Sequence, residues 1–146
     1  MIKKVLIVDD DNYKTEKIKE LISNVNNEIK ISTEKAINPG LRKIRSEQYD
    51  IVILDMSLPQ FDTLESSNFN PFGGISFLRE MKRRKVTTPV IIVTQYELFG
   101  EGNSQKTSED LNIFCHQNFE NYLGIIIYSS SKNEWRGMLV KMLGEL

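Results

Sequence analysis

Cysteine and histidine are nearly absent: Cys115 and His116 are single residues of their kinds. One cysteine cannot close an internal disulfide, which fits a reducing cytosol. Two such residues are also too few for zinc sites built mainly from thiolate and imidazole. No excess of one charge exists either. The 19 basic and 20 acidic side chains leave a formal net charge of −1, which argues against direct nucleic-acid binding. Long apolar runs are missing: a membrane span needs about 20 consecutive apolar residues, and the runs here are far shorter, so no membrane association is expected. Lys3 and Lys4 lead straight into a short strand pattern, so no secretory signal is expected and the location expected is cytoplasmic. A Gly-rich phosphate loop with Walker spacing is also lacking. What is present is a chain of 146 residues, 40% apolar and 27% charged. That size predicts one domain over residues 1–146 with a single sizeable core.

Short apolar runs alternate with helical patterns. Val5-Leu6-Ile7-Val8 reads as a strand buried on both faces and ends in Asp9-Asp10-Asp11. Ile18, Leu21, Ile22 and Val25 then recur at helical spacing and predict a helix over about 12–26. Ile29, Ile31 and Thr33 alternate as in a partly exposed strand. Asn38-Pro39 opens a second helix, with Asn38 expected as its cap and Pro39 at its first position. Residues 49–55 form a third strand pattern ending in Asp55, and 56–72 are an extended polar loop. Gly73-Gly74 leads into a third helix, read as a backbone device rather than a phosphate cradle. That helix ends in the basic run 82–85, expected to be a solvated, dipole-compatible terminus. Val90-Ile91-Ile92-Val93-Thr94 is the fourth strand pattern. Leu111, Phe114, Phe119 and Tyr122 suggest a fourth helix, Ile125 to Tyr128 a fifth strand, and Trp135 to Met142 a last helix in which Trp135 packs rather than stacks on a ligand. Five β–α alternations imply an α/β fold: a doubly wound, five-stranded parallel sheet covered on both faces. In such sheets ligands bind beyond the carboxyl ends of the strands.

The chemistry-bearing residues sit at those ends. If the first and third strands are neighbours, Asp9, Asp10 and Asp55 meet at one edge. Clustered carboxylates repel and need a cation or raised pKa values. All-oxygen ligands favour a hard ion, Mg²⁺ or Mn²⁺. Such an ion beside a carboxylate screens an incoming phosphoryl group and lets the carboxylate act as nucleophile. Thr94 offers a hydroxyl to a phosphoryl oxygen. Asp11 is read as a helix cap rather than a ligand. Cys115 and His116, adjacent on a helix, face different ways and are not expected to act as a catalytic pair.

Residues 5–10, then Asp50-Ile51-Val52-Ile53-Leu54-Asp55-Met56-Ser57-Leu58-Pro59, then Pro89-Val90-Ile91-Ile92-Val93-Thr94 resemble the receiver domain of two-component response regulators (CheY-like). The resemblance spans nearly the whole chain, with three motifs in order. It implies a flavodoxin-like sheet of strand order 2-1-3-4-5 and phosphorylation on Asp55. It further implies Mg²⁺ held by Asp9, Asp10, Asp55 and the backbone carbonyl of Ser57, with Thr94 as switch hydroxyl. The implied partners are a histidine kinase or phosphotransfer protein and a downstream protein partner. The reading is a stand-alone signalling module rather than an enzyme.

Two departures stand out. The family usually ends its fifth strand with a lysine followed by proline, and the lysine pairs with the phosphoryl group. Tyr128 or Ser129 stands there, with Lys132 a few residues later as a candidate that reaches back. The 56–72 loop is also long and carries Phe61, Leu64, Phe69 and Phe72, which would cover the pocket or present a partner surface. The missing lysine motivates an alternative, a pseudo-receiver that binds partners without phosphorylation. A distant alternative is a haloacid-dehalogenase-like phosphatase with Asp9 as nucleophile and Asp11 as acid.

Overall fold

The structure is a computed structural model that describes residues 1–61 and 69–146. Five strands, β1 (Lys4–Val8), β2 (Lys30–Glu34), β3 (Ile51–Leu54), β4 (Val90–Thr94) and β5 (Tyr122–Ile127), pair in parallel in the order β2-β1-β3-β4-β5. The expected strand order and doubly wound sheet are therefore present. Helices α1 (Asn12–Val25), α2 (Ile37–Ser46), α3 (Gly73–Arg83), α4 (Ser108–Asn118) and α5 (Glu134–Gly144) connect the strands or follow them.

The strand period of two divides the core between the sheet's faces. Val5, Ile7, Ile51, Ile53, Ile91 and Val93 point to one side and pack with Ile18 and Ile22 of α1 and with Trp135, Leu139 and Leu143 of α5. Leu6, Val8, Val52, Leu54, Val90 and Ile92 point to the other and meet α2, α3 and α4 through Leu41, Phe77, Leu78 and Leu111. Each fully buried aliphatic or aromatic side chain contributes about 1.5–3 kcal/mol, so these two layers fix the sheet between its helices. Among the described residues no helix is long and apolar enough to cross a membrane.

Several boundaries differ from the sequence reading. Helix α2 starts at Ile37, with Ala36 as its N-cap and no side-chain cap. Asn38 lies inside its first turn, and its side chain accepts from Gln60 Nε2 (2.6 Å) instead of capping. Pro39 is still tolerated there, because first-turn N–H groups have no helical partner. The fourth helix stops at Asn118, and Tyr122 belongs to β5. Gly124 and a register shift opposite Val90 and Ile91 break the early part of that strand, which is why its sequence pattern starts late. Short antiparallel ribbons lie in two regions: in the 56–72 segment read as loop, Leu58–Pro59 with Phe69–Asn70, and in the segment after β4, Leu98–Phe99 with Lys106–Thr107. Of the four apolar residues noted in the first of these regions, Leu64 lies outside the described residues. Phe61 is exposed and Phe72 half-buried.

Candidate functional site

The carboxyl ends of β1, β3 and β4 are adjacent, since Val8 pairs with Leu54 and Leu54 with Ile92. The residues that follow these strands therefore converge. Asp9 and Asp55 are buried, at 4% and 3% exposure, and Thr94 is fully buried. Asp10 is half-buried. Carboxylate oxygens of Asp9, Asp10 and Asp55 lie within 4.8 Å of one another. The sequence-predicted cluster thus exists, and Ser57 joins Asp10 and Asp55 on the wall of a cavity of about 770 Å³.

Local structure sets each group. Asp11 is the N-cap of α1, its Oδ1 accepting the Lys14 N–H at 3.1 Å, as expected of an acid at a helix start. The Asp11 N–H donates to Asp9 Oδ1 (2.9 Å), which orients that carboxylate. The Asp55 N–H donates to the Val8 carbonyl (3.0 Å), and the Met56 N–H donates to Asp55 Oδ1 (2.8 Å). Gly73 and Gly74 bring the start of α3 against this loop. A Cβ on Gly74 would stand 2.9 Å from the Asp55 carbonyl, and the Gly74 N–H donates to the Met56 carbonyl at 2.8 Å. The glycine pair is the backbone device the sequence suggested.

One residue of the site escaped the sequence reading. Lys14, in the first turn of α1, is fully buried. Its Nζ lies 2.7 Å from Asp9 Oδ2 and 3.4 Å from Asp55 Oδ1, and it donates to the Val93 carbonyl at 2.9 Å. A signal was present: Lys14, Ile18 and Ile22 recur at i, i+4 and i+8 and are all buried on one helix face. A lysine on an apolar stripe needs partners, and the acids that end the first strand, just before this helix, are close in the chain.

Electrostatics follow from this packing. Burial pushes Asp9 up to about 7, against the pull of Lys14, and Asp55 adds to the rise. Burial also raises Asp55, opposed by Lys14, by the Thr94 hydroxyl and by the Met56 N–H. Asp10 is raised by burial and by Asp55. Burial alone would discharge the Lys14 amine, but Asp55 and Asp9 together outweigh it and hold its pKa above the ordinary lysine value. With all four groups ionised, three carboxylates against one ammonium leave two negative charges uncompensated. That is the charge a divalent cation carries, and the donors are hard oxygens of the kind Mg²⁺ takes. Asp10 and Asp55 offer carboxylates to such an ion on the cavity side, where Ser57 also lies, and Asp9 is shared with Lys14.

The strand-5 end is different. Tyr128 is buried, packs on Trp135 with ring centroids 4.9 Å apart, and its N–H donates to the Thr94 carbonyl at 2.8 Å. Ser129 accepts the Lys132 N–H at 3.2 Å. Lys132 lines a neighbouring depression with Tyr128, Glu134 and Trp135 rather than the Asp55 cavity. Phe72 lines the Asp55 cavity, with Tyr96, Glu101 and Ser104 from the segment after β4.

The response regulator receiver domain model matches residues 5–100. The chain belongs to that family. The match contains Asp9, Asp10, Lys14, Asp55 and Thr94 and ends before β5. Among curated relatives, the Detocs response regulatory protein DtcB of Enterobacter cloacae is 28% identical over 149 residues, covering 98% of this chain and 99% of its own length. An uncharacterized protein, y4jR, of Sinorhizobium fredii is 28% identical over 138 residues, covering 91% of each. Among solved structures, the receiver domain of Francisella response regulator 1452 superposes with a TM-score of 0.66 at 21% identity, covering 98% of this chain and 94% of that one. Response regulator TrrA of Thermotoga maritima, solved in complex with Mg(2+)-BeF, superposes with a TM-score of 0.64 at 21% identity, covering 97% of this chain and 99% of that one. At such identities these structures share the fold.

Proposed function

We propose that this receiver domain accepts a phosphoryl group on Asp55 from a histidine kinase or phosphotransfer protein, with Mg²⁺, and signals by binding a protein partner. The observation that carries this reading is the buried Asp55 carboxylate on the wall of an open cavity, with oxygens of Asp9 and Asp10 within 4.8 Å. Bound Mg²⁺ would supply charge compensation for the incoming phosphoryl oxygens. Asp55 Oδ1 is held by Met56 and Lys14, and neither of these donors addresses Oδ2. In the transfer, a carboxylate oxygen of Asp55 forms the new P–O bond while the P–N bond of a phosphohistidine breaks. The electron pair of that bond stays on the imidazole, which takes up a proton. Thr94, whose hydroxyl is among the groups that hold the Asp55 carboxyl down, then donates to a phosphoryl oxygen. The name of the Enterobacter cloacae relative, a response regulatory protein of nearly the same span, agrees with this role.

Acetyl phosphate with Mg²⁺ is expected to add one phosphoryl group to the intact mass, and Asp55→Asn to abolish the addition. Failure of the unmodified protein to form any adduct with acetyl phosphate or beryllofluoride overturns the reading. The absence of lysine at 128–129 favours a second reading, a phosphorylation-independent interaction module. It predicts partner capture indifferent to Asp55→Asn. The phosphatase alternative is weakened because the Asp11 carboxylate caps α1.

A further inference from the structure

We infer that Lys14, reaching into the site from the first turn of α1, is the cation that binds the phosphoryl group on Asp55. This inference rests on the phosphotransfer reading above. It starts from a shortage of positive charge. Converting the Asp55 carboxylate into an acyl phosphate raises the local negative charge and adds acceptor oxygens. Neither Tyr128 nor Ser129 carries a cation, and Lys132 lines another depression. Among the described residues, Lys14 is the basic residue paired with Asp55.

The geometry is suited to the task. An ammonium has three donors, and Lys14 faces three acceptors. Two contacts are short, to Asp9 Oδ2 at 2.7 Å and the Val93 carbonyl at 2.9 Å. The third, to Asp55 Oδ1, is longer at 3.4 Å. The loose contact is the one at the acceptor, so the amine can turn one donor from the Asp55 oxygen to a phosphoryl oxygen while Asp9 and Val93 hold it. The stem is immobilised in the α1–sheet interface beside Ile18 and Ile22. No reach from solvent is needed, and little side-chain freedom remains to be lost. The Val93 carbonyl is next to Thr94, so the same amine ties the acceptor to the end of β4.

The test uses the whole chain with saturating Mg²⁺ and beryllofluoride as the phosphoryl mimic, comparing wild type with Lys14→Met. Affinity for beryllofluoride is expected to fall at least about tenfold, the scale of a lost hydrogen bond to a charged group. Mg²⁺ affinity, measured separately, is expected to hold or tighten, since a competing positive charge has gone. Restoring a cation from the strand-5 end, in Lys14→Met with Ser129→Lys, is expected to recover part of the beryllofluoride affinity. Equal beryllofluoride affinity in wild type and Lys14→Met overturns the inference. If Lys14→Met does not fold, side-chain ammonium NMR of wild type decides. The slowly exchanging Lys14 signal shifts on adduct formation, and an unmoved signal in a protein that binds the mimic rejects the role. Failure of wild type to bind beryllofluoride at all instead overturns the phosphotransfer reading.

Discussion

Asp9 carries a cost for its position. Its carboxyl is raised from 3.8 to about 7, chiefly by burial, with Lys14 opposing and Asp55 reinforcing the rise. A carboxyl whose folded pKa exceeds its unfolded value binds protons more readily when folded. Its stabilising contribution is therefore complete below about 3.8 and is lost as pH rises toward about 7. Asp55 and Asp10, both raised, act in the same sense. Glu47 acts in the opposite sense. Hydrogen bonds from Lys4, Lys43 and Tyr49 lower it from 4.5 to about 2, so its contribution is lost only as pH falls below 4.5. In chelator, the thermal midpoint is thus expected to decline as pH rises from about 4.5 to about 7. Asp9→Asn is expected to flatten that slope. A midpoint that climbs through this window in wild type would contradict the burial argument.

Helix α3 and the turn after β3 are built as one piece around a missing side chain. The start of α3 stands against the Asp55 and Met56 backbone, with no room for a Cβ at residue 74. Gly74→Ala is expected to destabilise by about 1–3 kcal/mol, as overpacking against backbone does. It should also weaken beryllofluoride binding, because the atoms it crowds are the Asp55 carbonyl and the adjoining Met56. Gly137 is the control, an exposed position in α5 with nothing within 4 Å of an added Cβ. There alanine should stabilise by up to about 1 kcal/mol through helix propensity. Chemical denaturation of the two variants should give opposite signs. The segment after β4 adds the far wall of the cavity. Its ribbon of Leu98–Phe99 with Lys106–Thr107 is followed by α4, closed by a capping box in which Thr107 and Asp110 exchange hydrogen bonds.

Across the whole molecule, two apolar layers hold the sheet in place and so hold its carboxyl edge in register. Phe77 is fully buried in the layer under α2 and α3, with Gly40 packed closely on its ring. Phe77→Ala should cost about 3–5 kcal/mol, a large share of the roughly 5–15 kcal/mol that holds a domain folded. The urea midpoint should fall while the denaturant slope stays unchanged, because the same surface is exposed on unfolding.

The sequence by itself determined the alternation of buried strands and amphipathic helices, since periods of 2 and 3.6 are local properties of the chain. It also determined which acids stand at strand ends, and Asp11 as a cap, because those follow from neighbours a few residues away. It was weaker where packing overrides local signals, as at the start of α2, where Asn38 bonds Gln60 rather than capping, and at the bulged beginning of β5. Lys14 was decided only by the tertiary structure. Locally, only its i, i+4, i+8 spacing with Ile18 and Ile22 separates it from the lysines at 17 and 19, and that spacing names no partner. Its depth under the sheet edge, and its reach to Asp9, Asp55 and the Val93 carbonyl 79 residues away, exist only once α1 is packed against β1, β3 and β4.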